Sequence, residues 1–344
     1  NGKVDRAALP PPAIADSRGG GIERIAPDSE TERTILTLWQ DVLELPHLGV
    51  TDNFFSVGGH SLKVTKLAAR LRDTFEVPLP LTALFKATTV RAQAELLVNA
   101  ARFGYDGIDE TMVLLNPSDA PDRPNLFLLP PGTGDALGYL QLAQALPHYA
   151  VHGLNFLPAN DRLTTYAELI TAAAPSGSLV LGGYSAGGNL AYHLAAILEH
   201  QGRTVGAVVM FDSAQVVRPI EFPPGECANV TRAFLDHESM KPYVSTPLLR
   251  EKAARVIAAY YQHMSQTLDT HQIAADIHGI VCRDSRDFRD PAGEVLTRTH
   301  GWREVTRGNY HIHVARGSHN ELLYPPQLET NAHKLRDILA GITW

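Results

Sequence analysis

The chain has little of what would set it apart from ordinary globular proteins. Its 344 residues include two cysteines, Cys227 and Cys282. That is too few for a disulfide framework, so a reducing cytoplasm is the expected compartment. Long apolar runs are missing: Gly206-Ala207-Val208-Val209-Met210-Phe211 falls well short of the ~20 residues of a membrane helix. The first residues, Asn1-Gly2-Lys3-Val4-Asp5-Arg6, show neither an initiator methionine nor the apolar stretch of a signal peptide. An excess of positive charge is missing too. A net charge of −7 argues against a nucleic-acid surface, which would be basic. Neither nucleic acid nor a membrane is therefore an expected partner. A hydrophobic fraction of 44% and a charged fraction of 19% remain, and the length favours two domains.

The first domain is expected at 25–100, behind a tail rich in proline and glycine (Pro10-Pro11-Pro12, Gly19-Gly20-Gly21). Ser29-Glu30-Thr31-Glu32 has the pattern of a capping box, in which Ser29 and Glu32 reciprocally satisfy free amides. Ile35, Leu38, Trp39 and Val42 then recur at helical spacing. A loop through Leu48-Gly49-Val50 and Phe54-Phe55 leads to Ser61, and a second helix offers Leu62, Leu67, Leu71 and Phe75 to a core. A third helix is expected at about 90–98. Three amphipathic helices sharing one core make a small all-α bundle. Ser61 stands at a helix N-terminus behind Gly58-Gly59-His60. There the free amides and helix dipole favour an attached phosphodiester, although a simple N-cap is the commoner duty of such a serine.

The second domain is expected at 111–344, after a polar linker at 101–110. Short apolar strands at 126–129, 151–155, 179–182 and 205–211 alternate with helices through the first half of this domain, and further strands are expected at 277–282 and 311–315. That pattern implies a mostly parallel sheet covered on both faces. Ser185 lies in Gly183-Tyr184-Ser185-Ala186-Gly187, between the strand at 179–182 and a helix at 189–200. This resembles the nucleophile elbow of an α/β-hydrolase, for which the strand–turn–helix context is the discriminating feature. Such a serine needs a histidine base and an acid to orient it. Asp212 ends the strand at 205–211 and so reaches the same rim, with Asp236 and Asp284 as alternatives. Pro130-Pro131-Gly132-Thr133-Gly134 follows the strand at 126–129. Without a following lysine it does not read as a phosphate loop, but it can complete an oxyanion hole: Gly132 is the preferred backbone donor, then Thr133, alongside Ala186. About sixty residues between Asp212 and the strand at 277–282 have helical periodicity and no expected strand; they form a helical insertion at about 213–275. His311 and His313 share one strand face. A metal pair there is conceivable, but strand histidines are more often surface or packing residues, and no metal is expected.

Together these segments resemble the terminal peptidyl carrier–thioesterase didomain of a nonribosomal peptide synthetase. Asp52-Asn53-Phe54-Phe55-Ser56-Val57-Gly58-Gly59-His60-Ser61-Leu62 resembles the carrier motif in its peptidyl form, since polyketide and fatty-acid carriers usually have aspartate before the serine. The resemblance implies a phosphopantetheine arm on Ser61. Asn1-Gly2-Lys3-Val4-Asp5-Arg6 resembles the closing motif of an adenylation domain, so 1–24 is expected to be its remnant and linker, with no catalytic role for Lys3. Gly317-Ser318-His319-Asn320-Glu321-Leu322-Leu323 resembles the family's G-x-H-x-x-M-L, with Leu322 in place of methionine. It makes His319 the expected base. In similar thioesterases the acid stands where Asp212 does, and the insertion is a lid; a static third subdomain is the alternative.

The implied activity is release of a peptidyl thioester through an acyl-enzyme on Ser185, by hydrolysis or macrocyclisation, in antibiotic or siderophore biosynthesis. Expected partners are upstream adenylation and condensation domains, a phosphopantetheinyl transferase and the peptidyl substrate, with the chain itself a monomer. Two other readings stay open. The hydrolase-like half could be an inactive docking module, or the chain could be a general esterase or lipase fused to a bundle, which leaves Ser61 unexplained.

Overall fold

The computed structural model describes residues 25–344 apart from 76, 78, 80, 104–110, 119, 121, 222–224, 237–246 and 290–291. The expected adenylation remnant with Lys3, most of the expected linker and parts of the expected lid therefore lie outside the described residues.

The first part is a bundle of helices α1 (Glu30–Leu43), α2 (Ser61–Phe75), α3 (Leu81–Lys86) and α4 (Val90–Phe103). The Ser29 hydroxyl caps α1 by accepting from the Glu32 amide at 3.1 Å. Glu32 in return accepts from the Asp28 amide at 2.6 Å. Its other oxygen takes the Arg91 guanidinium at 2.9 Å, and this ties α1 to α4. Ile35, Trp39, Val42, Val64, Leu67, Leu71, Val90 and Leu97 fill the core. Leu62, expected in that core, is 74% exposed. The buried stripe of α2 runs through positions 64, 67 and 71, which puts position 62 on the opposite face. Helix α3 was not expected, because six residues are too few to show a helical period.

The second part has a seven-stranded sheet in the order β1-β3-β2-β4-β5-β7-β10. Its strands are β1 (Met112–Leu114), β2 (Asn125–Leu129), β3 (Ala150–Leu154), β4 (Leu179–Tyr184), β5 (Val205–Phe211), β7 (Asp276–Val281) and β10 (Tyr310–Val314). Only β1 pairs antiparallel within this sheet. Side chains alternate between two apolar layers, as a pleated strand requires. Leu126, Leu128, Val180, Ala207 and Val209 join one layer with α5 (Leu140–Gln144) and α10 (Gln327–Ala340). Phe127, Leu129, Leu181, Val208 and Met210 join the other with α6 (Arg162–Ala173) and α7 (Ala186–His200). The architecture is an α/β-hydrolase fold with helices on both faces of a mainly parallel sheet.

Between β5 and β7 stand α8 (Glu226–Asp236) and α9 (Pro247–Gln266), the expected helical insertion. It also contains β6 (Gln215–Val216), contrary to the expectation of no strand. With β9 (Val295–Arg298) and β8 (Phe288–Arg289), β6 makes a small antiparallel sheet that two-residue strands could not announce in sequence. Asp269, fully buried, anchors this region by accepting from the Asn189 amide group on α7 and from the Val216 N–H. No described helix is long and apolar enough to cross a membrane.

Inside the bundle the Trp39 indole donates to Gln93 Oε1 at 2.9 Å, and the Gln93 amide donates to the Ala87 carbonyl. Trp39→Phe leaves a buried acceptor unpaired, at an expected cost of about 1–3 kcal/mol. Native-state hydrogen exchange of the α1 amides should show that loss.

Candidate active site

Parallel register decides which residues can meet. Tyr184 pairs with Phe211, Phe211 with Ile280, and Val281 with Val314. The residues that leave these strands, Ser185, Asp212, Cys282 and Ala315, therefore emerge side by side along one rim of the sheet.

Ser185 occupies a backbone conformation that L-residues seldom adopt, with φ 56° and ψ −123°. Its N–H donates to the Phe211 carbonyl at 2.8 Å, and its carbonyl accepts from Gly188 at 3.0 Å. The glycines around it answer to close approach. A Cβ on Gly183 would overlap the Gly187 carbonyl group, and one on Gly187 would press on the Leu129 and Pro130 carbonyls. Strand, turn and helix thus close on each other with no room for side chains at those two positions. Ala186 opens α7, where the first amides have no intrahelical acceptor.

Asp212, also at positive φ (49°), is 5% exposed and sits beneath the rim. Its Oδ2 lies 2.8 Å from His319 Nδ1. Oδ1 accepts from the Ser285 hydroxyl at 2.6 Å and the Cys282 N–H at 2.8 Å. Burial alone would raise the Asp212 pKa, but the bonds from His319, Ser285 and Cys282 outweigh it and hold the carboxyl at about 2. The His319 ring therefore presents its Nδ1–H to a carboxylate and keeps Nε2 for the other side, with 43% of the side chain exposed. Of the alternative acids, Asp236 pairs with Arg250 at the end of α8, and Asp284 is exposed.

The loop carrying His319 is tied down from two sides. The Tyr184 hydroxyl donates to the His319 carbonyl at 2.8 Å. Asn331, fully buried on α10, accepts from the Arg316 N–H and donates to the Arg316 and Leu322 carbonyls. On the other flank, Gly132 and Thr133 lie in a turn closed by the Gly134 N–H to the Pro131 carbonyl at 2.8 Å. The buried Tyr139 hydroxyl accepts from Tyr184 N–H at 2.8 Å and donates to the Leu129 carbonyl at 2.7 Å, stitching the ends of β4 and β2 together. From α9 the Tyr260 hydroxyl donates to the Pro130 carbonyl at 2.6 Å. None of Tyr139, Tyr260, Ser285 and Asn331 has a local motif, so sequence reasoning missed all four; their roles arise only when separate elements pack.

In the bundle, Ser61 is the first residue of α2. Phe54, buried against Trp39 with ring centroids 4.8 Å apart, pins the preceding loop, and its carbonyl accepts from Gly59 N–H at 2.8 Å. Gly58 turns at φ +99° with open space around it, and a Cβ on Gly59 would strike the Phe54 ring. His60 and Leu62 on either side are exposed.

Residues 124–339 match the family model described as "Thioesterase domain", and residues 33–97 match that described as "Phosphopantetheine attachment site". Surfactin synthase subunit 3 of Bacillus subtilis is 33% identical over 98% of this chain, which spans 25% of that protein. Tyrocidine synthase 3 of Brevibacillus parabrevis is 30% identical over 98% of the chain, which spans only 5% of its length. Among solved structures, the thioesterase domain that cyclises the lipopeptide antibiotic surfactin matches with a TM-score of 0.56 and 30% identity. That match covers 63% of this chain and 92% of the other.

Two outcomes test this geometry. Tyr139→Phe leaves the Tyr184 N–H and Leu129 carbonyl buried without partners, and should lower the denaturation midpoint by the equivalent of about 1–3 kcal/mol. The depressed Asp212 pKa adds stability that is fully present above its ordinary value of 3.8 and is lost as pH falls toward about 2. Asp212→Asn should accordingly flatten the acid limb of the stability–pH curve between those values, as measured by denaturant unfolding at stepped pH.

Proposed function

The chain belongs to the thioesterase domain family and contains a phosphopantetheine attachment site, and on that premise we propose that it is the releasing end of a nonribosomal peptide synthetase. The observation that carries the reading is one polypeptide holding both a strained serine beside an Asp–His pair and a helix-opening serine behind Gly58-Gly59-His60.

The surroundings of Ser61 suit an attached phosphopantetheine: exposed neighbours, a glycine turn and the N-terminal amides of α2, which favour a phosphodiester. When attached, the arm supplies the thioester linkage and the reach between the two halves. His319 Nε2 takes the proton of the Ser185 hydroxyl as Ser185 Oγ attacks the thioester carbonyl. The Ala186 and Gly132 amides hold the oxyanion, and Asp212 steadies the imidazolium through Nδ1. Collapse of the adduct expels the thiol, which takes the proton from His319, and leaves an acyl ester on Ser185. His319 then deprotonates the second nucleophile, either water or an amine or hydroxyl of the peptide itself. The products are a free acid, a macrolactam or a macrolactone.

In this reading the domains run as 25–100 for the carrier and 111–344 for the thioesterase. The chain works as a monomer in the cytoplasm, after upstream adenylation and condensation domains and a phosphopantetheinyl transferase have acted.

Loading an acyl-phosphopantetheine with a permissive transferase and following intact mass tests the relay. The acyl group should leave the wild type and persist on Ser185→Ala, while Ser61→Ala should accept no arm. Asp212→Asn should slow release by several orders of magnitude, since an asparagine there imposes the wrong imidazole tautomer. Equal release by wild type and Ser185→Ala would overturn the assignment.

A further inference from the structure

The pairing of β7 with β10 places four metal-ligating side chains on one face of the sheet edge. His311 is the register partner of His278, and His313 is the partner of Ile280. Residues two apart on a strand share a face, so Asp276, His278, His311 and His313 all point the same way. Ligand atoms of Asp276, His278 and His311 lie within 4.8 Å of one another. His278 Nδ1 is 3.3 Å from His313 Nε2, and His311 Nε2 is 4.0 Å from Asp276 Oδ2. This patch lies toward the strand starts, at the end of the sheet away from Ser185 and His319. We infer that Asp276, His278 and His311, with His313 beside them, form a binding site for a divalent transition metal of the zinc class.

Three features favour a site over a chance cluster. Metal–nitrogen bonds of ~2.0–2.1 Å in a tetrahedron set neighbouring donor atoms roughly 3.3–3.5 Å apart. The His278–His313 pair already meets that spacing. The remaining closure falls to Asp276 and His311, whose side chains are 37% and 47% exposed. Asp276 is oriented as a ligating carboxylate usually is: its Oδ1 accepts from the Asn309 N–H at 2.7 Å and side-chain amide at 3.3 Å, which leaves Oδ2 toward His311. The donors open onto a cleft of about 740 Å³ that also borders Ser178, Gly206 and Gly341, so an ion has a route in.

Imidazoles with a carboxylate suit zinc, nickel or copper rather than calcium or magnesium, which want oxygen alone. An ion here would clamp the edge strand β10 to β7. Since β10 leads through Ala315 into the loop carrying His319, the clamp would brace that loop from the far end of the sheet.

The test is Co²⁺ titration of the full chain carrying no affinity tag, followed by competition with Zn²⁺. One equivalent should produce the visible ligand-field bands of a tetrahedral site, Zn²⁺ should abolish them, and Zn²⁺ should raise the melting temperature. His311→Gln should weaken binding at least tenfold, and His278→Ala with His311→Ala should remove it, while Ser185→Ala binds like the wild type. Absence of the bands at stoichiometric cobalt would overturn the proposal, as would equal binding by the double variant; the cluster would then be a stack of neutral imidazoles only.

Discussion

Everything at the rim hangs on how tightly the turn from β4 into α7 is closed. With no side chain at Gly183 or Gly187, the start of α7 drops onto the end of β2 until it touches the Leu129 and Pro130 carbonyls. That approach is what throws Ser185 into its strained conformation, and the Phe211 carbonyl holds it there through the Ser185 N–H. The same approach brings the first amides of α7 beside the loop at 130–134. Ser185 and the proposed oxyanion donors are therefore set by one packing event. Strain of this kind persists only where the surroundings over-determine it, and here Tyr139, Tyr184 and Phe211 supply the determination.

Asp212 is the second fixed point. A carboxylate buried to 5% exposure would ordinarily take up a proton, yet three donors from two parts of the chain keep it charged. Two of them, the Cys282 amide and the Ser285 hydroxyl, follow the end of β7, so the acid at the end of β5 is satisfied chiefly by its neighbouring strand. His319 supplies the third donor and gains its orientation in return.

The sequence made legible whatever is local. Strand alternation announced the parallel sheet, the G-x-S-x-G context announced the elbow, and the position of Asp212 at a strand end announced which rim it would reach. Functions assembled across distance were not legible. Tyr139 is one of eleven tyrosines, and only the meeting of β2 with β4 gives its hydroxyl two partners. Asn331 looks like any polar residue of a C-terminal helix until the loop at 316–322 folds over it. The phase of α2 was misjudged at Leu62 for a related reason: a single leucine at a helix start carries no information about face. His278 and Asp276 stand more than thirty positions before His311, and strand pairing alone joins them to it.

The insertion bears on how the proposed acyl substrate would reach Ser185. Helix α9 is more firmly attached than a free-standing cover would be. Tyr260 is fully buried, bonds the Pro130 carbonyl and stacks on Phe156 with centroids 4.2 Å apart, while Val256 fills the space a side chain on Gly134 would need. Lifting α9 would break a buried hydrogen bond and pull on the loop that holds Gly132. An opening motion that included this helix would therefore disturb the proposed oxyanion donors, and a motion that spared it would leave them intact. The contacts favour the second arrangement, with α9 fixed as a wall beside the loop at 130–134.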